Sequence, residues 1–308
     1  MKLKTTPQEF KVIEHIDMPS GGAYYLYKVE KTGVTTTSFE KLARFAGLKD
    51  SQSVSVQYAT SEKPVDHPNF TFVKKVPRHI RSSDIVTNEF KIVLRDVHVG
   101  KYKRCPKSFT FTNFFGEQRF WSARPVVDIN DFFVHHLVTD DIDRAVKTAC
   151  THGGIGVAAR RRQALAKKWG DVALIEKLPP KDWARQVITA YQKGGLGLDK
   201  IPVIDRKFAL KAYQSYAWNM QVSKMGKGKP VSYSFGDMRC GAPSKRLAYP
   251  DFSLPDWYGI DVPQGFRETS LKADIVSCKV VKDTVRLHFF LPRGAYATVF
   301  LRQLDAFI

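Results

Sequence analysis

The residues that could do chemistry lie in a few short segments of the chain. A carboxylate, Asp50, directly follows Lys49, and another cation, Lys4, stands near the start. Burial raises the pKa of a carboxyl group and an adjacent cation lowers it, so such residues could keep a carboxylate ionised in a partly dry pocket. Taken singly, each segment is more typical of an ordinary solvated loop, strand end, surface charge or turn than of a catalytic site. The segments are Leu3–Phe10, Ala46–Asp50, Thr112–Phe120 and Leu291–Arg302.

The spacing of cysteine and histidine argues against a metal site. The chain has 4 cysteines and contains neither a Cys-x-x-Cys pair nor a His-Glu-x-x-His motif. A structural zinc ion needs clustered ligands, which this spacing does not offer. His135 and His136 are adjacent and would point to opposite faces of a strand. We therefore expect no metal, and the sequence carries no phosphate-loop or dinucleotide motif that would indicate a cofactor.

The charge of the chain indicates a polyanionic partner. Its 308 residues include 49 lysines and arginines against 30 aspartates and glutamates, a formal net charge of +19. Such an excess favours RNA, DNA or an acidic membrane. No stretch approaches the roughly 20 apolar residues of a membrane span, and the first residues lack the apolar core of a secretion signal. We expect a cytoplasmic protein, with the nucleus or an organelle left open, and no membrane partner.

Five motifs, read together and in order, resemble the TruD family of RNA pseudouridine synthases. The two most specific are Ala-Gly-x-Lys-Asp followed by Val and Gln, and Asn-x-Phe-Gly-x-Gln-Arg-Phe. The others are an N-terminal Lys-x-x-Pro-x-x-Phe, a Tyr-Gln-Ser-Tyr-x-Trp-Asn helix, and Leu-Pro-x-Gly with Ala-Thr and Leu-Arg after it. The matching stretches are Ala46–Gln57, Asn113–Phe120, Lys4–Phe10, Ala212–Asn219 and Leu291–Arg302.

Some positions depart from the family pattern. Ser51 stands where the family usually has Lys, Trp121 where it has Gly, and Gln303 where Glu is common. The stretch Val134–Val203 has little that matches. These departures bear on the choice of RNA more than on the chemistry, because the aspartate segment is intact.

The resemblance implies an enzyme that isomerises a uridine of RNA to pseudouridine, with tRNA favoured; the bacterial type acts at tRNA position 13. It implies that Asp50 is the catalytic carboxylate, with Lys4 as its ion-pair partner. Asp50 would either attack C1′ of the ribose or take the C2′ proton, and both routes stay open. Phe115 would stack on the extruded uracil and Asn113 would hydrogen-bond near Asp50. In an extended segment Phe114 would face the other way, into the core.

Further residues are expected to bind the RNA, since phosphate contacts position it while a shaped pocket selects the base. Lys49 would point away from the Asp50 face and suits a phosphate. Basic segments such as Arg160–Arg162 are candidates for gripping the backbone. Neither a metal nor an organic cofactor is needed. The substrate-binding residues that we assign are Lys49, Gln57, Gly116, Gln118, Arg119 and Arg293.

The elements that position these residues follow from the hydrophobic periodicity. Strand patterns dominate the first third and the last forty residues, with a helix predicted at Thr35–Phe45, and the middle is mostly helical. We expect an α+β fold: a pseudouridine synthase catalytic core with a mixed, mainly antiparallel sheet and helices, interrupted by a helix-rich TRUD-type insertion. The expected division is 1–133 with 268–308 for the core, and 134–267 for the insertion.

Two other classes of function are alternatives to an RNA pseudouridine synthase. The same fold could serve as a catalytically silent RNA-binding or assembly protein, a reading that Ser51 and Trp121 motivate. Retention of Asp50 argues against it, because a protein that only binds RNA would not need a carboxylate facing phosphates. An enzyme acting on a small acidic substrate lacks any supporting motif. A monomer is favoured.

Overall fold

The structure, a computed structural model, describes residues 1–3, 5–47, 49, 51–116, 119–120, 129–152, 156–226 and 242–308, with the backbone alone at 156–159. These residues form two compact units. The first comprises Met1–Phe111 and Leu271–Ile308, and the second comprises Thr112–Ser270. The division expected from the sequence places its borders near residues 133 and 268, and it stays a prediction.

The first unit is built on a mainly antiparallel sheet, which confirms the predicted α+β class. Across this sheet the strand order is β5-β2-β4-β1-β6-β11-β10-β7, with β3 beside β4; β1 and β4 are parallel. The strands of the described residues are β1 (Phe10–Ile16), β2 (Tyr24–Lys31), β3 (Arg44–Phe45), β4 (Val54–Ser61), β5 (Phe70–Val76), β6 (Ile85–Leu94), β7 (Ser108–Thr112), β8 (Arg246–Ala248), β9 (Phe266–Glu268), β10 (Ser270–Val281) and β11 (Thr284–Pro292).

One face of this sheet carries the core of the first unit. Phe90 of β6 and Phe289 of β11 are register partners whose rings stack at 5.2 Å. Phe289 also contacts Phe300, at 4.5 Å, on the C-terminal helix. Side chains alternate between faces along a strand. Glu14 of β1 therefore lies on the same face as these rings, since its register partner on β6 is Asn88, two residues before Phe90.

The second unit is helix-rich and also contains the two-stranded sheet β8–β9. Asp182 caps α5 by accepting a hydrogen bond from the backbone N–H of Ala184, at 2.9 Å. No helix in the described part of the chain has the length and apolar character that crossing a bilayer requires. The helices of the protein are α1 (Phe133–Val138), α2 (Ile142–His152), α3 (Gly156–Lys167), α4 (Val172–Glu176), α5 (Trp183–Gln192), α6 (Val203–Met225) and, in the first unit, α7 (Ala297–Phe307).

The helix predicted at Thr35–Phe45 is wrong. A short 3-10 turn covers Thr36–Phe39, and the strand β3 follows it. Threonine is a weak helix former, partly because its hydroxyl finds other hydrogen-bond partners. Here the Thr36 hydroxyl donates to Oε1 of Gln57 at 2.7 Å. That long-range contact fixes the segment in a non-helical form.

Candidate functional site

Three of the assigned site residues, Lys4, Asp50 and Gln118, lie outside the described residues. What the structure shows is the surroundings of the segment that carries Asp50, and the surroundings of Asn113 and Phe115. The former lie in the first unit and the latter in the second.

A buried carboxylate anchors the residue before Asp50. Glu14 has a side chain that is 1% exposed, and its Oε1 lies 3.3 Å from the ammonium of Lys49. Lys49 also donates to Oδ1 of Asn88 at 3.3 Å. A buried charge must be paired or it costs several kcal/mol, so this ion pair holds the Lys49 side chain against the sheet. The structure thus gives Lys49 an internal partner, and its phosphate contact stays a prediction.

Gln57 completes this arrangement from β4. Its side-chain amide donates to Glu14 at 3.3 Å and to the carbonyl of Gly47 at 3.0 Å, and its oxygen accepts from Thr36. Gln57 is 1% exposed. The structure therefore places Gln57 in contact with Glu14, Gly47 and Thr36, and its contact with the substrate stays a prediction. We call Glu14, Thr36, Lys49 and Gln57 the Glu14 cluster.

Lys31, at the end of β2, is a functional candidate that the sequence analysis missed. It is a lysine that is 1% exposed. Its ammonium donates to the carbonyl of Val34 at 2.9 Å and to that of Lys49 at 3.2 Å. The Thr36 hydroxyl also accepts from the backbone N–H of Lys49, at 2.9 Å. Both backbone groups of the residue before Asp50 are thus tied to buried side chains.

In the second unit, Asn113 is buried and hydrogen-bonded at every polar group. It is 3% exposed. Its backbone N–H donates to Thr269 at 2.8 Å, and its side-chain amide donates to the carbonyl of Glu268 at 2.9 Å. The guanidinium of Arg267 donates to its Oδ1 at 2.6 Å and to its backbone oxygen at 3.1 Å. Asn113 therefore connects the segment before Phe115 to β9 and to Thr269, the residue that follows β9.

Phe115 is held through its backbone and covered on its ring. Asn219 of α6 accepts from the Phe115 N–H at 2.9 Å and donates to its carbonyl at 3.0 Å. Trp218 meets the ring edge-to-face at 5.6 Å, and the guanidinium carbon of Arg267 lies 4.1 Å from the ring centre. Phe115 is 6% exposed and Phe114 is 2% exposed. Both rings are thus buried, so a base can reach Phe115 after a covering group has moved.

The remaining assigned residues have varied positions. Arg119 donates to the hydroxyl of Ser215 on α6 at 3.0 Å, and its backbone N–H donates to the carbonyl of Gly116, which is buried. Arg293 is exposed in the first unit. We call Asn113, Phe115, Trp218, Asn219 and Arg267 the Phe115 cluster. Trp218 and Asn219 belong to a motif that the sequence analysis used for resemblance without giving them a role.

One of the basic residues expected to grip RNA is internal. Arg162 is 3% exposed, lies 3.2 Å from Oδ1 of Asp182 and stacks its guanidinium 4.0 Å from the ring centre of Trp183. Its charge is already neutralised inside the helical unit. Arg162 therefore packs inside the helical unit, whereas RNA contact by its exposed neighbours Arg160 and Arg161 stays a prediction.

Comparison with known proteins gives matches over nearly the whole chain. The family model described as tRNA pseudouridine synthase D (TruD) matches residues 1–245 and 241–304. A tRNA pseudouridine synthase D from Aquifex aeolicus is 23% identical and aligns over 99% of this chain and 98% of its own length. A tRNA pseudouridine synthase D from Anaeromyxobacter dehalogenans is 26% identical and aligns over 98% of this chain and 92% of its own length. A crystal structure of a TruD protein from Methanosarcina mazei has a TM-score of 0.65 at 15% identity, over 99% of this chain and 93% of that chain.

Proposed function

The chain belongs to the TruD family of tRNA pseudouridine synthases, and we propose that it isomerises a uridine of tRNA to pseudouridine with Asp50 as the catalytic carboxylate. The relatives described above are named as synthases, which gives no support to a silent RNA-binding protein. The net charge of +19 suits a tRNA substrate.

The observation that carries the proposal is the anchoring of the residue before Asp50. The Lys49 side chain is paired with Glu14, its carbonyl accepts from Lys31 and its N–H donates to Thr36. A reacting group must be held within a fraction of an ångström, which needs a rigid second layer of contacts. Three separate contacts of this kind on one loop residue are more than a solvated loop requires.

The reaction needs a carboxylate at the sugar and a pocket for the released base. The bond from uracil N1 to C1′ breaks, the base turns, and a bond from C5 to C1′ forms. The proton lost from C5 is balanced by the proton gained at N1, so no redox partner is required. Asp50 either attacks C1′ or removes the C2′ proton. Lys4 is proposed to keep Asp50 ionised, and Phe115 to stack on the uracil once it has left the RNA helix.

The finer properties of the protein are part of the same proposal. We place it in the cytoplasm as a monomer, acting on tRNA without a membrane partner. Size-exclusion chromatography with light scattering tests the monomer, and localisation of a tagged chain tests the compartment.

A map of pseudouridine in total RNA, from cells with and without this gene, tests the function. We expect discrete tRNA sites to vanish in the deletion strain and to return with the wild-type gene but not with Asp50→Ala. If no site changes, or if Asp50→Ala restores the sites, the catalytic proposal fails and a binding role takes its place.

A further inference from the structure

The cover on the Phe115 ring resembles the base that the ring is proposed to receive. The guanidinium of Arg267 lies over the ring with its central carbon 4.1 Å from the ring centre. The same group donates from Nη2 to Oδ1 of Asn113 at 2.6 Å. A guanidinium is planar and carries its N–H donors at its edge. Uracil is also planar and carries the N3–H donor at its edge.

Arg267 is a partly exposed group that covers the ring at close range. Trp218, which meets the ring edge-to-face, is fully buried on α6 and cannot shift without disturbing the core. Tyr249 and the guanidinium carbon of Arg119 lie farther from the ring centre than Arg267, at 6.2 Å and 5.6 Å. Arg267 is partly exposed and stands on β9, a strand of three residues. Its side chain also donates to the backbone oxygen of Asn113 at 3.1 Å and lies 5.4 Å over the ring of Trp218, so the contacts that the base makes must offset those that Arg267 loses.

We propose that Arg267 closes the base site in the free protein and that the incoming uracil displaces its guanidinium from Phe115 and from Asn113. The proposal rests on the proposed function, because it takes Phe115 as the ring that stacks on the target base. A base and a guanidinium cannot occupy the same face of one ring. Opening is therefore a competition, and the fraction of protein that is already open scales the apparent affinity for the extruded base.

The competition has a consequence for specificity. A base that stacks on Phe115 and hydrogen-bonds to Asn113 through its edge replaces the ring contact and the hydrogen bond that the guanidinium loses. A group that makes neither contact leaves Arg267 in place. The displaced cation remains close to a polyanion, where a phosphate can receive it. Arg267 is thus a positioning residue in the closed state and a gate for base entry.

Paired RNA ligands separate base docking from general RNA binding. The first ligand is tRNA with the uridine that the pseudouridine map identifies, and the second is the same tRNA with an abasic site there. Both make phosphate contacts, but the first alone docks a base. The ratio of the abasic Kd to the uridine Kd therefore measures docking, and a variant that keeps the charge at position 267 separates docking from a phosphate contact of the displaced cation. The protein carries Asp50→Asn so that turnover does not interfere.

The variants are Arg267→Lys, which keeps the charge without the planar fork, and Arg267→Ala. The matched control is Arg246→Lys on the neighbouring strand β8, where an exposed arginine lies 4.9 Å over Phe266. We expect the ratio to rise threefold or more in both Arg267 variants and to stay unchanged in the control. A ratio that is unchanged or lower in the folded Arg267 variants overturns the proposal, because Arg267 would then be neutral or a permanent part of the pocket.

A second measurement uses the wild-type ring contact itself. In protein labelled with 15N-arginine, the Nε–H signal that the Arg267 variants lack should shift with uridine tRNA and stay in place with abasic tRNA. An equal response to both ligands overturns the proposal. Failure here is distinct from failure of the proposed function, in which the wild-type protein forms no pseudouridine in tRNA at all.

Discussion

The ammonium of Lys49 lies 3.3 Å from Oε1 of Glu14, a carboxylate with a side chain that is 1% exposed. The pair joins the residue before Asp50 to Glu14, near the end of strand β1. Glu14 lies on the face of the sheet that also carries the core rings. Removal of one partner of a buried pair leaves a charge without compensation. The pair is therefore the most direct link between the sheet and the proposed catalytic segment.

Glu14→Gln tests this link. The amide keeps the shape of the side chain but removes the charge that holds Lys49, so the Asp50 segment should lose its fixed position. We expect a fall of at least tenfold in the single-turnover rate of pseudouridine formation, with the tRNA Kd changed by less than twofold. Glu30→Gln is the matched control, because Glu30 makes an exposed pair with Lys11 at the same 3.3 Å. Equal rates for Glu14→Gln and wild type would contradict the link.

Lys31→Met tests the second anchor of the same segment. Methionine fills a similar volume but cannot donate to the carbonyl oxygens of Val34 and Lys49, which then lose a charged donor. We expect the free energy of unfolding to fall by about 2 kcal/mol and the single-turnover rate to fall with it. Lys28→Met, at an exposed position of the same strand, should leave both quantities unchanged. Urea denaturation and the rate assay give the two numbers, and wild-type values for Lys31→Met would refute this role.

Asn219→Ala tests the support of the Phe115 backbone. The change removes the two hydrogen bonds that Asn219 makes with the N–H and the carbonyl of Phe115. Loss of a hydrogen bond at a buried polar group costs about 1–3 kcal/mol, so the two losses should lower the free energy of unfolding by roughly 2–6 kcal/mol. Gln221→Ala, on the exposed face of α6, is the control. A difference below about 0.5 kcal/mol between the two variants, the range of ordinary surface substitutions, would show that these hydrogen bonds contribute little.

Glu89 makes the stability of the first unit depend on pH. Burial raises the pKa of this carboxyl group, but hydrogen bonds from Lys91, His15 and His288 outweigh burial and lower the pKa to about 2. A carboxyl group with a depressed folded-state pKa stabilises the fold above its ordinary pKa of about 4.5. That stabilisation is lost as the pH falls from there toward 2.

Comparison of wild type with Glu89→Gln shows this effect. We expect the variant to be less stable at pH 7 by about 1–3 kcal/mol, and the difference to shrink as the pH falls below 4.5. Denaturant titrations at a series of pH values give the difference directly, with exposed Glu40→Gln as the control. A difference that stays constant from pH 7 to pH 3 would contradict the depressed pKa.

Strands with strict alternation, and helices with capping residues, were predictable from the sequence. The strand patterns of the last forty residues correspond to β10 and β11, which Lys282 joins with a left-handed backbone that suits a tight hairpin turn. The predicted helical middle includes α5, which Asp182 caps. The conformation of the Thr35–Phe45 segment could not be predicted in this way. It depends on a hydrogen bond from Thr36 to Gln57, which lies 21 residues further along the chain.

The motifs of the candidate site could be predicted from the sequence, but the charged residues that contact those motifs could not. Glu14, Lys31 and Arg267 are charged, and residue type alone assigns charged side chains to the surface. Their burial or stacking depends on contacts between distant segments, such as the 154 residues that separate Arg267 from Asn113. The motif around Asn113 still identified the residue that Arg267 contacts. A search for charged residues on the buried face of an alternating strand would have found Glu14.

Conversion of tRNA by the purified protein is the most direct test of the central claim. Wild-type protein should form pseudouridine at a discrete tRNA position, without added metal or cofactor, as mass spectrometry of the digested tRNA would detect. Asp50→Asn should bind the same tRNA with a Kd within twofold of wild type and form none. Pseudouridine formed by Asp50→Asn at the wild-type rate, or none formed by wild type on any tRNA, would contradict the account.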